Sequence, residues 1–202
     1  MMRVMRSAHI AIVGVVTACP LMTTAVVAAS VEENAQICAG CHGENGVPQE
    51  KTTPIIWGQN EGYLYLQLRD YKSGARKNEQ MSAVVAGLEK ADFKALASHF
   101  AGLKWPNMNF PSPPKDVTKV ALTAIGSVGC TSCHLDQFQG DGTTARLAGQ
   151  QSEYLFNTMT AFRDGSRANN PGMSDLMKAV QPADLKPIAE YLASLQVVGG
   201  QQ

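Results

Sequence analysis

The chain has 202 residues, with 17 Lys+Arg balanced by 17 Asp+Glu and only 6% aromatic side chains. With no basic excess and few rings for stacking, nothing points to a nucleic-acid partner. The length admits one large domain or two small ones.

In chain order, residues 1–29 read as an export signal. Arg3 and Arg6 supply a positive start, Ile10 to Val16 is apolar, and small residues follow to a cleavage site around Ala28, Ala29 or Ser30. The apolar stretch is short for a membrane span and is interrupted by His9. Removing it takes away Arg3 and Arg6, leaving 15 basic against 17 acidic side chains (15 − 17 = −2), a mildly acidic soluble protein. Cys19 ends Val16-Thr17-Ala18-Cys19, a lipoprotein-like signal, but Pro20, Leu21 and Met22 follow where a polar tether belongs. Cys19 is therefore expected to leave with the signal, with lipid anchoring as the alternative. Either way the mature body has no spare thiol.

Two words then dominate the chain, Cys38-Ala39-Gly40-Cys41-His42 and Cys130-Thr131-Ser132-Cys133-His134. Each is the Cys-x-x-Cys-His pattern for covalent attachment of a c-type haem. Thiols three positions apart lie on one side of a helical turn, where each can form a thioether to a haem vinyl group. The His that follows is placed under the porphyrin to bind iron. The alternatives are a redox dithiol or a zinc site shared by the two pairs. Neither requires a His at the same adjacent position in both words. The prediction is two haem c groups, one per word. Export agrees with it, because c-type haem is attached outside the cytoplasm in bacteria.

The words open a repeat. Trp57-Gly58-Gln59 through Tyr63-Leu64 to Gly74-Ala75-Arg76 returns 91 positions on, as Ala148-Gly149-Gln150 through Tyr154-Leu155 to Gly165-Ser166-Arg167. Leu88–Leu103 returns at an offset of 92 as Val180–Leu195. Between the halves, Pro106-Asn107-Met108-Asn109-Phe110-Pro111-Ser112-Pro113-Pro114 cannot continue a helix. The expected organisation is a first domain at 30–104, a Pro-rich linker at 105–115 and a second domain at 116–202. Apolar stripes at helical spacing predict an all-α fold: Leu64, Leu68 and Tyr71 match Leu155, Met159 and Phe162. Phe93, Leu96, Phe100 and Leu103 match Leu185, Ile188, Leu192 and Leu195. Val117, Val120, Ala124 and Val128 predict one more buried face ahead of the second haem word. Domains this small have little core of their own, so a buried porphyrin would supply much of the apolar contact.

His42 and His134 give each iron one axial ligand. Among nine methionines the repeat singles out Met81 and Met173, offset by 92 like the haem words and set in polar, loop-like surroundings before an apolar helix. A thioether favours ferrous iron and raises the potential. Met177 is the rival in the second half, although its counterpart is Val85. Arg76 and Arg167 close matching turns and are candidates for haem propionates, against the alternative of a solvated charge ending a helix. Gln59 and Gln150 are expected to fix a turn, and Tyr63 and Tyr154 to reach a propionate or pack.

These residues resemble the di-haem cytochrome c4 family: two Cys-x-x-Cys-His domains, each followed by Gly-Gln, an aromatic helix, Gly-x-Arg and a loop methionine, from about Val31 to Val198. The resemblance implies two tandem class I cytochrome c folds related by a pseudo-two-fold axis. Cys38, Cys41, Cys130 and Cys133 would be the thioether anchors, with axial pairs His42/Met81 and His134/Met173. It also implies a periplasmic location, soluble or loosely membrane-associated, and single-electron traffic from respiratory donors to terminal oxidases or reductases. Class I domains usually orient the ligand His with a proline carbonyl. Pro54 stands at that place in the first half and Ala145 in the second, so the second His is expected to be held differently. Trp57 against Ala148 is a further difference. An electron carrier is the leading reading. A di-haem subunit of a larger dehydrogenase, such as a flavocytochrome that oxidises sulfide, is the alternative. A di-haem peroxidase needs an open iron, and a thiosulfate-oxidising enzyme often has a cysteine ligand that this chain lacks.

Overall fold

The computed structural model describes residues 29–196, which form nine α-helices, a single 3-10 turn at Pro182–Asp184, and no strand. The export segment read at residues 1–29, Cys19 included, lies outside the described residues apart from its last position. Among the described residues no helix is long and apolar enough to cross a membrane.

The first half holds α1 (Val31–His42), α2 (Glu61–Ser73), α3 (Glu79–Val85) and α4 (Lys90–Ala101). α1 begins with a capping box: the Ser30 hydroxyl accepts from Glu33 N–H, and the Glu33 carboxylate accepts from Ser30 N–H. α2 stops at Gly74, whose φ of 79° is the left-handed geometry that glycine adopts without a Cβ clash. α2 and α4 pack together through the two stripes read from the sequence. Leu64, Tyr71, Phe93, Leu96 and Phe100 are buried, and Leu68 and Leu103 are half-buried at the edge.

The second half repeats this plan with α5 (Lys115–Val128), α6 (Thr131–His134), α7 (Ser152–Asp164), α8 (Pro171–Ala179) and α9 (Leu185–Ser194). α7, α8 and α9 match α2, α3 and α4. The haem word differs in setting. α1 runs through the first word unbroken, whereas α5 ends at the left-handed Gly129 and the second word sits on the single turn of α6. The face α5 buries is the expected one at Val117, Ala124 and Val128 and departs from it at Val120. It passes through Ala121, Ala124 and Ile125, with Val128 half-buried beside them, and leaves Val120 42% exposed. Position 120 is at the margin of that stripe, where i, i+4 and i+7 neighbours of Val117 take the inner places.

A cation closes the equivalent helix end in both halves. Lys72 Nζ donates to the carbonyls of Ala86 and Leu88, and Arg163 donates to those of Met177, Lys178 and Val180. Each satisfies carbonyls that the helix leaves unpaired and complements its dipole.

Candidate functional site

Each haem word comes to the end of a helix, with its first Cys half-buried and its second exposed. Burial pushes the Cys38 thiol up to about 11 and raises Cys130 as well. A redox dithiol requires the opposite shift, because the thiolate is the reacting species. The zinc alternative loses its geometry too. Among the described residues no group of three or more His, Cys, Asp or Glu side chains converges on a metal position.

His42 and His134 are buried, and each ring has its Nδ1 against a backbone carbonyl: Pro54 O at 2.7 Å and Ala145 O at 2.8 Å. Here the expectation that the second His is held differently fails. The partner is a main-chain oxygen, and alanine presents one as well as proline does. Burial lowers both imidazoles despite the carbonyl that favours the protonated form, and because a carbonyl can only accept, Nδ1 is the donor and Nε2 is the nitrogen that would face an iron.

Met81 and Met173 occupy matching positions, though not in loops. Each lies in the first turn of its helix, where its backbone N–H donates to the capping side chain, Asn78 Oδ1 at 2.9 Å and Asn170 Oδ1 at 3.1 Å. Both are half-buried. Met177, the rival, is buried in the apolar core with Leu155, Phe162 and Ile188, and Met159 lies in that core also.

Arg76 and Arg167 are not solvated helix ends. They are 8% and 7% exposed and lie between the halves. Arg76 donates to Gln67 Oε1 (2.9 Å) and Tyr154 Oη (3.1 Å). Arg167 donates to Gln67 Oε1 (2.9 Å), Asn169 Oδ1 (3.0 Å) and Tyr63 Oη (3.5 Å). Arg167 Nη1 is buried with no hydrogen-bond partner. Burial disfavours ionisation of both phenols, yet the Arg76 and Arg167 charges outweigh it at Tyr154, which is pushed down to about 7. Burial, with Tyr154 beside it, leaves Tyr63 raised. Two buried guanidiniums, one with an unpartnered Nη1, are a donor set that fits the carboxylates of a porphyrin.

Gln59 and Gln150 hold their own loops, as expected, by accepting from the N–H of Asn60 and of Gln151, and they also bridge the halves. Gln59 Nε2 donates to Arg146 O (3.0 Å) and its Oε1 accepts from Arg146 N (2.7 Å). Gln150 does the same with Ile55 O and Ile55 N, at 2.9 and 2.8 Å. Positions 55 and 146 are themselves repeat partners, so the two clamps obey one pseudo-two-fold axis. Sequence reasoning missed Gln67, Asp70 and Asn169. Asp70 Oδ2 accepts from Asn169 Nδ2 across the interface at 2.7 Å, while Oδ1 accepts from Arg69. Their one signal was position: Gln67 and Asp70 are spaced three apart on α2, one turn on from Tyr63 and Leu64.

Two helical halves around a pseudo-two-fold axis, each ending a helix in Cys-x-x-Cys-His with an oriented imidazole, define a tandem c-type cytochrome. No protein-family profile matches the chain. It is 29% identical to cytochrome c4 of Pseudomonas aeruginosa over 83% of this chain and 88% of that protein. The thiosulfate dehydrogenase electron acceptor of Thiomonas intermedia is 30% identical, over 82% of each. The solved cytochrome c4 of Acidithiobacillus ferrooxidans superposes with a TM-score of 0.71 at 31% identity, covering 79% of this chain and 99% of that one. The chain belongs to the di-haem cytochrome c4 family. It is an electron-transfer protein with two covalently bound haem c groups and is not itself an enzyme.

Proposed function

We propose that the protein works in the bacterial periplasm, taking single electrons from a respiratory donor complex or dehydrogenase and delivering them to a terminal oxidase or reductase. On this reading the first domain, 30–104, and the second, from 116 onward, would each hold one haem, with residues 105–115 as the connection. Cys38 and Cys41 anchor the first group by thioethers, and Cys130 and Cys133 the second. His42 with Met81 and His134 with Met173 would hold the two irons, and a His/Met pair on each would suit electron transfer rather than substrate binding. Arg76 and Arg167 bind propionates. When bound, the haem iron supplies the one-electron couple, and His/Met ligation sets it at a high potential.

The observation that carries this reading is the equivalence of the two ligand sets: the same carbonyl behind each His and the same Asn cap under each Met. A spectroelectrochemical titration of the doubly haem-loaded protein tests it, with peroxide and thiosulfate added separately. Two haems per chain, methionine-to-iron bands in the ferric state and no turnover are expected. A high-spin haem or catalysis overturns it.

A second reading is favoured by the Thiomonas intermedia relative named as a thiosulfate dehydrogenase electron acceptor. On it, the dehydrogenase that donates electrons is one that oxidises thiosulfate, and this chain serves as its acceptor. Rapid haem reduction by such an enzyme plus thiosulfate, and not by either alone, is the result expected.

A further inference from the structure

The halves exchange side chains across the pseudo-two-fold axis, and the exchange is crossed. Arg76 of the first half donates to the Tyr154 hydroxyl of the second, and Arg167 of the second donates toward the Tyr63 hydroxyl of the first. Each guanidinium lies over a ring of its own half: Arg76 is 4.7 Å from the centre of Tyr71, and Arg167 is 4.3 Å from that of Phe162. The body of each arginine is therefore held by its own domain, while Nη2 at the tip donates across to the other. Gln67 Oε1 accepts from both guanidiniums near the axis, a role its repeat partner Thr158 does not share. The nearby carboxylate of Asp70 is engaged by Arg69 and Asn169.

A guanidinium presents its donors in a rigid plane, so whatever holds one edge decides where the other edge points. For Arg76 that edge is held by Gln67 at Nη1 and by a phenol of the opposite domain at Nη2. We propose that Tyr63 and Tyr154 are positioning residues for the haem of the opposite half. Tyr154 aims Arg76 at a propionate of the His42 haem and Tyr63 aims Arg167 at a propionate of the His134 haem, so each haem's potential depends on a tyrosine of the other domain. The proposal rests on reading Arg76 and Arg167 as propionate partners. A well-aimed positive charge disfavours the ferric state, so releasing the guanidinium lowers the potential.

The test uses the full, doubly haem-loaded protein, with the haem resonances assigned half by half by NMR and each potential followed in a redox titration. Tyr→Phe removes only the hydroxyl and keeps the ring that packs. Tyr154→Phe is expected to lower the potential of the His42 haem more than that of the His134 haem, and Tyr63→Phe to do the reverse. A larger shift at the haem of the tyrosine's own half overturns the proposal. So does a fall in thermal stability with both potentials unmoved, which is what a purely structural tyrosine would give. Arg76→Gln and Arg167→Gln separate the two levels. If neither moves a potential, the propionate reading itself fails. If they do and the Tyr variants do not, only the crossed positioning fails.

Discussion

In the second half, helices α5, α7, α8 and α9 close around one continuous core that includes Phe138, Leu155, Met159, Phe162, Ile188 and Leu192. The first half divides a smaller core into two clusters, one around Leu96 and Phe100 and the other around Val85 and Phe93. The cause lies in the helix that precedes each haem word. α5 buries Ala121, Ala124 and Ile125, while the polar α1 buries one apolar side chain, Ala35. Trp57, which packs on the first cluster where the second half has Ala148, makes up part of the difference. The same histidine geometry is thus supported by unequal amounts of protein, and the first half is expected to lose more when its haem is removed.

Removing one haem at a time is the strongest way to break that comparison. Cys38→Ala with Cys41→Ala, and separately Cys130→Ala with Cys133→Ala, should each lose one haem by pyridine haemochrome assay. The first pair should lose more helix by circular dichroism, and its half should be digested first in limited proteolysis. Equal losses would show that core size does not matter here.

The interdomain clamps should behave alike, because they obey one axis. Gln59→Leu and Gln150→Leu each delete three side-chain hydrogen bonds, two of them across the interface, and leave backbone groups unpaired, at a cost of about 1–3 kcal/mol. Chemical denaturation checks both. A marked inequality would mean that the halves do not share the interface evenly.

In whatever fraction of the haem-free chain is folded, the imidazoles of His42 and His134 should respond to pH in the same direction. Burial lowers both below the ordinary 6.5, so as pH falls through that value the unfolded chain takes up protons that the folded one refuses. Stability is therefore retained above 6.5 and lost on acidification, by about 1.4 kcal/mol for each unit by which a His is lowered. Thermal melts from pH 8 to pH 5 measure it. His42→Gln and His134→Gln should each remove part of the slope.

The smallest effect is expected at the residue that differs behind the two histidines. Pro54→Ala keeps the carbonyl on His42 and should leave the haem spectrum unchanged, while costing about 0.4–1 kcal/mol through a freer unfolded chain. A changed spectrum would restore proline to a special role.

Much of this was legible from residue order. The haem words, the 91- and 92-residue offsets, the α2/α4 and α7/α9 stripes and the equivalence of positions 81 and 173 all rest on local spacing. Local spacing is set by covalent geometry and by the 3.6-residue period of the helix, which a sequence displays directly. The errors share a cause as well. Ala145 was misread because a carbonyl oxygen has no side-chain signature, and Val120 because a marginal stripe position is decided by its neighbours.

Tertiary structure alone decided that Arg76 and Arg167 are buried, that their tips belong to Tyr154 and Tyr63, and that Gln59 and Gln150 join the halves. Those contacts bring together side chains 78 to 104 positions apart. No local periodicity encodes a pairing at that range; it exists only once two folded domains press their polar faces together and each buried donor must find an acceptor.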